Sequence, residues 1–321
     1  MDAVLKRVIK KIKPSKIEYT KFMTFSEEII SKISNKLTKI NAKAILGGSS
    51  AKNTWLSDNK DIDIFIQFNY NDYNKKNDQL SDILEKIIED TFPNEEVKRL
   101  HGSRDYFQIE INNIVLEFIP ILEINDSKES LNITDISPLH SKWVNKKRQE
   151  LKGIEDQIRL SKQFCKGQKL YGAESYLGGF SGYILEIMTI HYGSFEKLLR
   201  KSINWKSPVI IDPEKYYKKN MVMFEIDKSK LNSPIIIVDP VDNKRNAAAA
   251  LTDEKFKSFK NSAKEFLKDR NENIFTKKEI KLKDLQTICK KDKLNLIYLE
   301  IEPLTGKRDV VGAKILKVFK D

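Results

Sequence analysis

The residues of this sequence that most plainly indicate chemistry are two aspartates, Asp61 and Asp63, in the segment 61–66. Polar and apolar residues alternate at the start of this segment, and that pattern predicts a half-buried strand. Side chains two residues apart on a strand point to the same face, so the two carboxylates are expected to lie close together. Because close like charges repel, a cation is needed between them, and Mg²⁺ prefers oxygen ligands and retains substrate phosphates in its shell.

Two further features extend this pattern towards phosphate chemistry. A turn at 47–49, Gly-Gly-Ser, precedes the strand and offers backbone N–H groups and a hydroxyl to a triphosphate. Glu117 is a lone acid within an apolar segment, 115–120. On a neighbouring strand it would complete a site for two metal ions. An Asp-x-Asp pair alone is more often a solvated strand face, so it is the combination that predicts metal-dependent chemistry.

The elements that must position these residues form an α+β unit. Hydrophobic periodicity predicts two helices before residue 40, strands at 42–46 and 61–66, a helix at 78–89, and a hairpin of 106–111 and 114–121 around Asn112-Asn113. Helices are expected at 139–151, 154–167 and 182–192, then a strand at 235–238, a helix formed by the Ala-rich stretch 246–250, and an amphipathic helix after Leu251. A strand at 294–301 and a helix at 309–319 close the chain. We therefore predict domains at 1–137, 138–251 and 252–321.

Composition narrows the function classes. The chain has 321 residues, of which 40% are hydrophobic and 32% charged, enough apolar content to exclude wholesale disorder. Two cysteines and three histidines argue against a disulfide framework and a histidine-built metal centre. No export or membrane-spanning segment is visible, so a cytoplasmic location with reduced thiols and no membrane partner is expected.

The net charge of +12 favours a polyanionic partner such as nucleic acid. The excess is concentrated in 139–170, with nine basic and three acidic residues, and in 252–321, with eighteen and twelve. We therefore expect basic surface on the middle and C-terminal parts of the chain.

The joint pattern of a strand, the Gly-Ser turn, a short helix with Trp55, the Asp-x-Asp strand and a later acid on a strand resembles the signature of the nucleotidyltransferase superfamily related to DNA polymerase beta. Five separated motifs also occur in order: Trp55-Leu56 before the Asp-x-Asp pair, and the segments 138–143, 170–174, 179–183 and 238–248. The whole series resembles the archaeal, class I CCA-adding enzymes (tRNA nucleotidyltransferases) over about residues 1–270. The resemblance implies a nucleotidyltransferase mixed sheet with helices, a mainly helical second domain and a small α/β C-terminal part.

The resemblance also implies roles for individual residues. Asp61, Asp63 and Glu117 would be catalytic and would bind two Mg²⁺ ions. Eight residues would contact the nucleotide: Ser49, Lys52, His101, Ser137, His140, Lys162, Tyr171 and Arg245. Among these, Lys162 and Tyr171 would contact the β- and γ-phosphates and sugar, and Arg245 the incoming base. Lys52 and Glu117 stand where the family usually has Arg and Asp, and Ser137 stands in place of Thr.

The activity implied is template-independent addition of C, C and A to the 3′ end of tRNA from CTP and ATP, with release of pyrophosphate. tRNA would be held by its acceptor stem and 3′ end, and a homodimer is an open option. Two alternatives remain. One is another template-independent RNA nucleotidyltransferase of the poly(A)-polymerase kind, against which the motif at 239–248 argues. The other is a non-catalytic tRNA-binding relic in which the changes at Lys52 and Glu117 have ended catalysis.

Overall fold

A computed structural model of the chain describes residues 2–59, 61–174, 176–218, 221–277, 282–292 and 294–297. The helices are α1 (Ala3–Ile12), α2 (Lys16–Leu37), α3 (Gly48–Ala51), α4 (Tyr70–Tyr73), α5 (Leu80–Thr91), α6 (Ser137–Glu150), α7 (Ile154–Gly167), α8 (Gly182–Tyr192), α9 (Phe195–Ser202), α10 (Val222–Glu225), α11 (Asp253–Lys268) and α12 (Leu282–Asp292). The strands are β1 (Ala42–Leu46), β2 (Asp61–Phe68), β3 (Lys98–Leu100), β4 (Tyr106–Ile111), β5 (Ile114–Leu122), β6 (Val209–Ile211), β7 (Ile235–Asp239) and β8 (Asp242–Asn246). Short 3₁₀ turns at Thr38–Ile40, Asn74–Gln79, Ser127–Glu129, Ile133–Ile136, Lys228–Lys230 and Glu272–Phe275 connect several of them.

The first part of the chain forms a mixed five-stranded sheet in the order β1-β2-β5-β4-β3. The central strands β2 and β5 run parallel, and their neighbours are antiparallel. The hairpin between β4 and β5 turns through Asn112 and Asn113, both with positive φ, as asparagine tolerates in tight hairpin turns. The predicted mixed sheet and hairpin are therefore confirmed.

The alternation along β2 separates a core face from a polar face. Ile62, Ile64, Ile66 and Phe68 are fully buried in one apolar cluster with residues of α2 and α5. The aspartates at the start of the strand consequently project from the opposite face of the sheet. Burial of the isoleucine row thus determines which face carries the carboxylates.

The second core lies among α7, α8, α9 and α11, beside a three-stranded sheet in the order β6-β7-β8. Aromatic rings of Phe164, Phe195 and Phe259 meet at its centre. Leu5 and Val8 of α1 are buried in this same core, although the next helix belongs to the first core. The chain thus begins in the second core, builds the first and then returns. The domain boundaries at 137/138 and 251/252 stay a prediction.

Most predicted elements occur within two residues of their expected bounds, but the Ala-rich stretch does not form a helix. Asn246 ends β8, and its Oδ1 accepts hydrogen bonds from the backbone N–H groups of Ile237 and Ala248. Residues 247–250 form turns, because so few alanines cannot offset the cost of helix nucleation. Helices α4, α9, α10 and α12 and strands β3, β6 and β8 were not predicted.

The C-terminal predictions fall mostly outside the described residues. Of the strand expected at 294–301, residues 294–297 show no regular structure, and the remainder and the helix at 309–319 are not described. Among the helices that are described, none combines the length and apolar character needed to cross a bilayer.

The packing of α1 generates a stability prediction. Leu5 is 1% exposed in the second core, whereas Ile17 on α2 is 70% exposed. Leu5→Ala should lower the free energy of unfolding in urea by about 2–5 kcal/mol, since it leaves a cavity. Ile17→Ala should change it by less than about 0.5 kcal/mol. Equal effects of the two substitutions would contradict the placement of α1.

Candidate active site

A cleft of about 220 Å³ lies where the two cores meet. It is lined by Ser49, Lys52, Asn59, Asp61, Asp63, Glu117, Lys162, Tyr171, Gly182, Tyr183 and Glu186. Of the eleven catalytic and nucleotide-binding residues predicted from the sequence, seven line this cleft. The polar lining comes from β2, β5, α7 and α8 and from the loops beside them, so the cleft requires both cores.

The carboxylates lie together because β2 and β5 are paired in parallel. Asp63 stands opposite Glu117 in the register of the two strands, and Asp61 precedes it on the same face. Burial, reinforced by the charge of Asp63, raises the pKa of Glu117 to about 7. Burial likewise raises the pKa of Asp63, although the charge of Lys52 opposes the effect. Without a cation, this end of the cleft holds protons more strongly than ordinary carboxylates do.

The Gly-Gly turn makes room for this arrangement. Gly48 has φ +52°, and a Cβ atom at this position would lie 1.6 Å from Oδ2 of Asp63. The backbone N–H of Gly47 donates to the carbonyl oxygen of Asp63 at 2.7 Å. Sequence reasoning assigned the turn to phosphate binding alone, whereas its lack of side chains also admits the Asp63 carboxylate.

The donor set is compatible with a hard divalent cation. The side chains of Asp61, Asp63 and Glu117 all reach the cleft and offer only oxygen ligands, as Mg²⁺ prefers. Gln108 donates to Oε1 of Glu117 at 2.5 Å, which orients that carboxylate from the neighbouring strand. Within the described residues, no group of three acidic, histidine or cysteine side chains is arranged closely enough to hold a metal ion as it stands. The types of ligand thus fit a divalent cation such as Mg²⁺. To bind one, the carboxylates would have to move closer together.

The opposite side of the cleft is cationic. Lys52, from the loop after α3, and Lys162, from α7, both contact the carboxylate of Glu186 on α8. Glu186 was not selected from the sequence, yet it is a lone acid in an apolar helix, the same signal that identified Glu117. Although burial opposes it, the charges of Lys162 and Lys52 hold the pKa of Glu186 at about 2. Burial lowers the pKa of Lys162 to about 8.

His140 and Arg245 do not line the cleft but form a cluster beside it. His140 stacks on Tyr183, with 3.9 Å between ring centroids, and Tyr183 does line the cleft. Asp239, which is fully buried, accepts hydrogen bonds from His140, Tyr183 and Arg245. Burial would raise its pKa, but hydrogen bonding and charge from His140, together with the charge of Arg245, lower it to about 2. Asp239 lay within a recognised motif but was not selected as a site residue.

His101 and Ser137 are not among the residues that line the cleft. The exposed His101 hydrogen-bonds Asp105 at 2.7 Å. Ser137 begins α6, where its carbonyl oxygen accepts a hydrogen bond from the Ser141 hydroxyl at 3.5 Å. Their assignment to the nucleotide site stays a prediction.

The fold and this arrangement of residues are those of the nucleotidyltransferase class of proteins. A family model described as "Nucleotidyltransferase domain" matches residues 27–158, and one described as "tRNA nucleotidyltransferase, second domain" matches 156–276. Solved structures of similar fold include the terminal uridylyl transferase Cid1 (TM-score 0.66, 11% identity, 86% of this chain and 98% of that one) and CdnC of E. coli MS115-1 with ATP (0.63, 17%, 85% and 94%).

Sequence relatives identify the family more closely. CCA-adding enzymes of Nanoarchaeum equitans and Methanocaldococcus jannaschii are 38% and 34% identical over 86% and 89% of this chain. The chain spans 64% of the length of each. The CCA-adding enzyme of Pyrococcus abyssi is 32% identical over the whole chain, which spans 71% of that relative. The chain belongs to the family of archaeal CCA-adding enzymes.

The contact between Gly48 and Asp63 can be tested directly. Gly48→Ala should lower nucleotide transfer by about 100-fold, because the added methyl displaces the carboxylate. Gly153→Ala is the matched control: it also has positive φ, but an added Cβ meets nothing within 4 Å. The control should retain activity within about twofold despite some backbone strain. Rates are compared for variants with the same circular dichroism spectrum, and equal losses would contradict the role of Gly48.

The raised pKa of Glu117 predicts a pH-dependent stability in EDTA. The carboxyl keeps its proton up to about pH 7 when folded, against 4.5 for an unperturbed glutamate, so stability falls as pH rises between these values. Glu117→Gln, which mimics the protonated acid, should raise the free energy of unfolding at about pH 8 by roughly 1–3 kcal/mol and much less at about pH 5. Glu110→Gln, at an exposed site on β4, should show no such pH dependence. A gain for Glu117→Gln that is independent of pH would contradict the assignment.

Proposed function

We propose that the protein adds C, C and A to the 3′ end of tRNA, using CTP and ATP and releasing pyrophosphate. The observation that carries the proposal is the pairing of opposite charges across one cleft. Asp61, Asp63 and Glu117 line one side, and Lys52 and Lys162 line the other. Membership of the CCA-adding family supports the choice of tRNA as the acceptor.

The carboxylate side would hold two Mg²⁺ ions through Asp61, Asp63 and Glu117. When bound, such ions lower the pKa of an attacking hydroxyl and neutralise charge that develops on the transferred phosphoryl group. The protein holds Asp63 against the Gly48 backbone and holds Glu117 through Gln108. These contacts limit the positions that the two carboxylates can take, so less reorganisation is needed for them to converge on the ions.

The opposite side would bind the triphosphate. Ser49 and Lys52 lie next to the catalytic strand, while Lys162 and Tyr171 approach from the second core. Gly182 permits this approach, since a Cβ atom there would lie 2.8 Å from the Tyr171 hydroxyl. The ammonium groups of Lys52 and Lys162 face the three carboxylates across the cleft. A triphosphate bound by the ammonium groups would therefore be oriented along the direction from the lysines to the carboxylates.

Arg245 would contact the incoming base, because its planar guanidinium donates to hydrogen-bond acceptors on either C or A. Asp239 pairs with Arg245 and also accepts a hydrogen bond from His140. One carboxylate would therefore hold both the arginine that contacts the base and the histidine that lies beside the triphosphate. His101 and Ser137 are retained as nucleotide contacts in this proposal, although neither lines the cleft.

The positive charge would hold the RNA. The net charge of +12 suits binding to the phosphate backbone, a mode that lets one enzyme accept every tRNA by shape. The proposal also includes a cytoplasmic location, and it is compatible with either a monomer or a homodimer.

The products test the proposal. A tRNA lacking its terminal CCA, incubated with Mg²⁺ and all four nucleoside triphosphates, should gain C, C and A and then stop, as read by sequencing the 3′ ends. Extended runs of A would favour the poly(A)-polymerase-like alternative. Binding of tRNA without any incorporation would favour the relic.

Asp63→Asn tests the role of the carboxylates in that reaction. The variant should lose at least about 100-fold in incorporation, since it removes a charged metal ligand. Its affinity for tRNA should stay within about twofold, because the phosphate contacts remain. Asp58→Asn is the matched control, at an exposed site in the loop before β2, and should incorporate normally. Normal incorporation by Asp63→Asn would overturn the proposed catalytic site.

A further inference from the structure

Glu186 occupies an unusual position for a charged residue. It lies in the middle of α8, where residues 184–190 are all buried, and it is itself fully inaccessible to solvent. A lone buried carboxylate is costly unless charged partners satisfy it. Both of its carboxylate oxygens accept hydrogen bonds, so its burial at the cleft is compensated by specific partners.

The partners of Glu186 come from both cores. Its Oε2 accepts from Nζ of Lys52 at 2.7 Å, and its Oε1 accepts from Nζ of Lys162 at 2.8 Å. The hydroxyl of Thr54 donates to Oε1 at 2.8 Å and accepts from Lys162 at 2.8 Å. One carboxylate therefore sets the relative positions of two ammonium groups that belong to different parts of the chain.

The two lysines differ in how fully they are satisfied. Lys162 has three acceptors, namely Oε1 of Glu186 and both oxygens of Thr54. Within the described residues, Lys52 has one acceptor, Glu186, for its three N–H donors. Two lysines against one glutamate leave the cluster with one positive charge in excess, at a wall of the cleft. An anion in the cleft would balance that charge, and the remaining donors of Lys52 are the ones available to it.

We propose that Glu186 is a positioning residue for the triphosphate: it holds Lys162 in place and aims Lys52 at the phosphate groups. This deepens the proposed function, on which it rests only in requiring that the cleft bind a triphosphate. The rival explanation is that Glu186 merely joins the two cores.

A second ion pair, formed within α7 by a buried arginine and a partly exposed aspartate beside the same junction, separates these explanations. Arg159 on α7 donates to the backbone oxygens of Asn53 and Trp55 and pairs with Asp156 at 2.7 Å. Neither Arg159 nor Asp156 lines the cleft. Asp156→Asn removes the charge that pairs with Arg159 but leaves the hydrogen bonds of Arg159 to Asn53 and Trp55 in place. It therefore lowers stability without removing a contact of the cleft, and it serves as the control for Glu186→Gln.

The experiment measures the KM for CTP and ATP, the Kd for tRNA without nucleotide, and the melting temperature of each variant. Glu186→Gln keeps the shape but turns an amide towards a lysine, so the KM for both nucleotides should rise by about tenfold or more. Its Kd for tRNA should stay within about twofold. Asp156→Asn should lower the melting temperature but leave both KM values within about twofold. An unchanged KM in Glu186→Gln, or an equal rise in Asp156→Asn, would overturn the proposal.

A matched pair at Thr54 covers the case in which Glu186→Gln fails to fold. Thr54→Val removes the hydroxyl at nearly constant volume and should raise the KM for both nucleotides. Thr54→Ser keeps the hydroxyl, so its KM values should stay close to those of the wild-type protein. Equal KM values for the two variants would count against the proposal.

Binding of inorganic tripolyphosphate in Mg²⁺, followed by calorimetry, separates this inference from the proposed reaction. The wild-type protein should bind tripolyphosphate and Glu186→Gln should bind it at least about tenfold more weakly. That result supports the role of Glu186 even if no C, C and A are added to tRNA. Equal binding by both proteins would refute it even if the reaction takes place.

Discussion

The parallel pairing of β2 with β5 is the constraint on which the rest of the site depends. It places Asp63 opposite Glu117, although they are far apart along the chain, and it does so with the whole isoleucine row of β2 committed to the core. A shift of one residue would turn Asp63 into the apolar cluster and expose the isoleucines. The hydrophobic core and the carboxylate pair are therefore specified by the same register, and neither can change without the other.

Charge balance is the second organising feature. Acids from the first core face lysines that are anchored by a buried acid of the second, so neither side of the cleft is neutral alone. Such an arrangement is expensive to bury in a dry protein and becomes favourable when cations and a polyanion occupy the cleft. The raised pKa of Glu117 and the lowered pKa of Lys162 have the same origin: each charged group is short of solvent. This charge pattern is the one that the proposed function requires, in which cations and a polyphosphate occupy the cleft together.

The path of the chain explains why the two cores cooperate. Helix α1 packs in the second core before the chain enters the first, and Arg159 returns from α7 to bind the backbone beside Trp55. The loop that carries Lys52 and Thr54 is therefore held from both sides. A nucleotide that bridges the carboxylates and the lysines would contact groups whose separation is set by this junction rather than by flexible side chains.

The sequence by itself determined the carboxylate strand, the glycine turn, the hairpin, most helices and the family, because these depend on local periodicity, turn chemistry and ordered motifs. It also identified Glu117, as a lone acid among apolar residues. It did not predict that Glu186 and Asp239 would pair with lysine and arginine side chains, since partners distant in sequence meet only after packing. It was wrong about the Ala-rich stretch, where Asn246 binds the backbone of its own strand pair and overrides helix propensity. Only the tertiary structure decided these points, because the free energy of a buried charge or amide depends on which partners surround it.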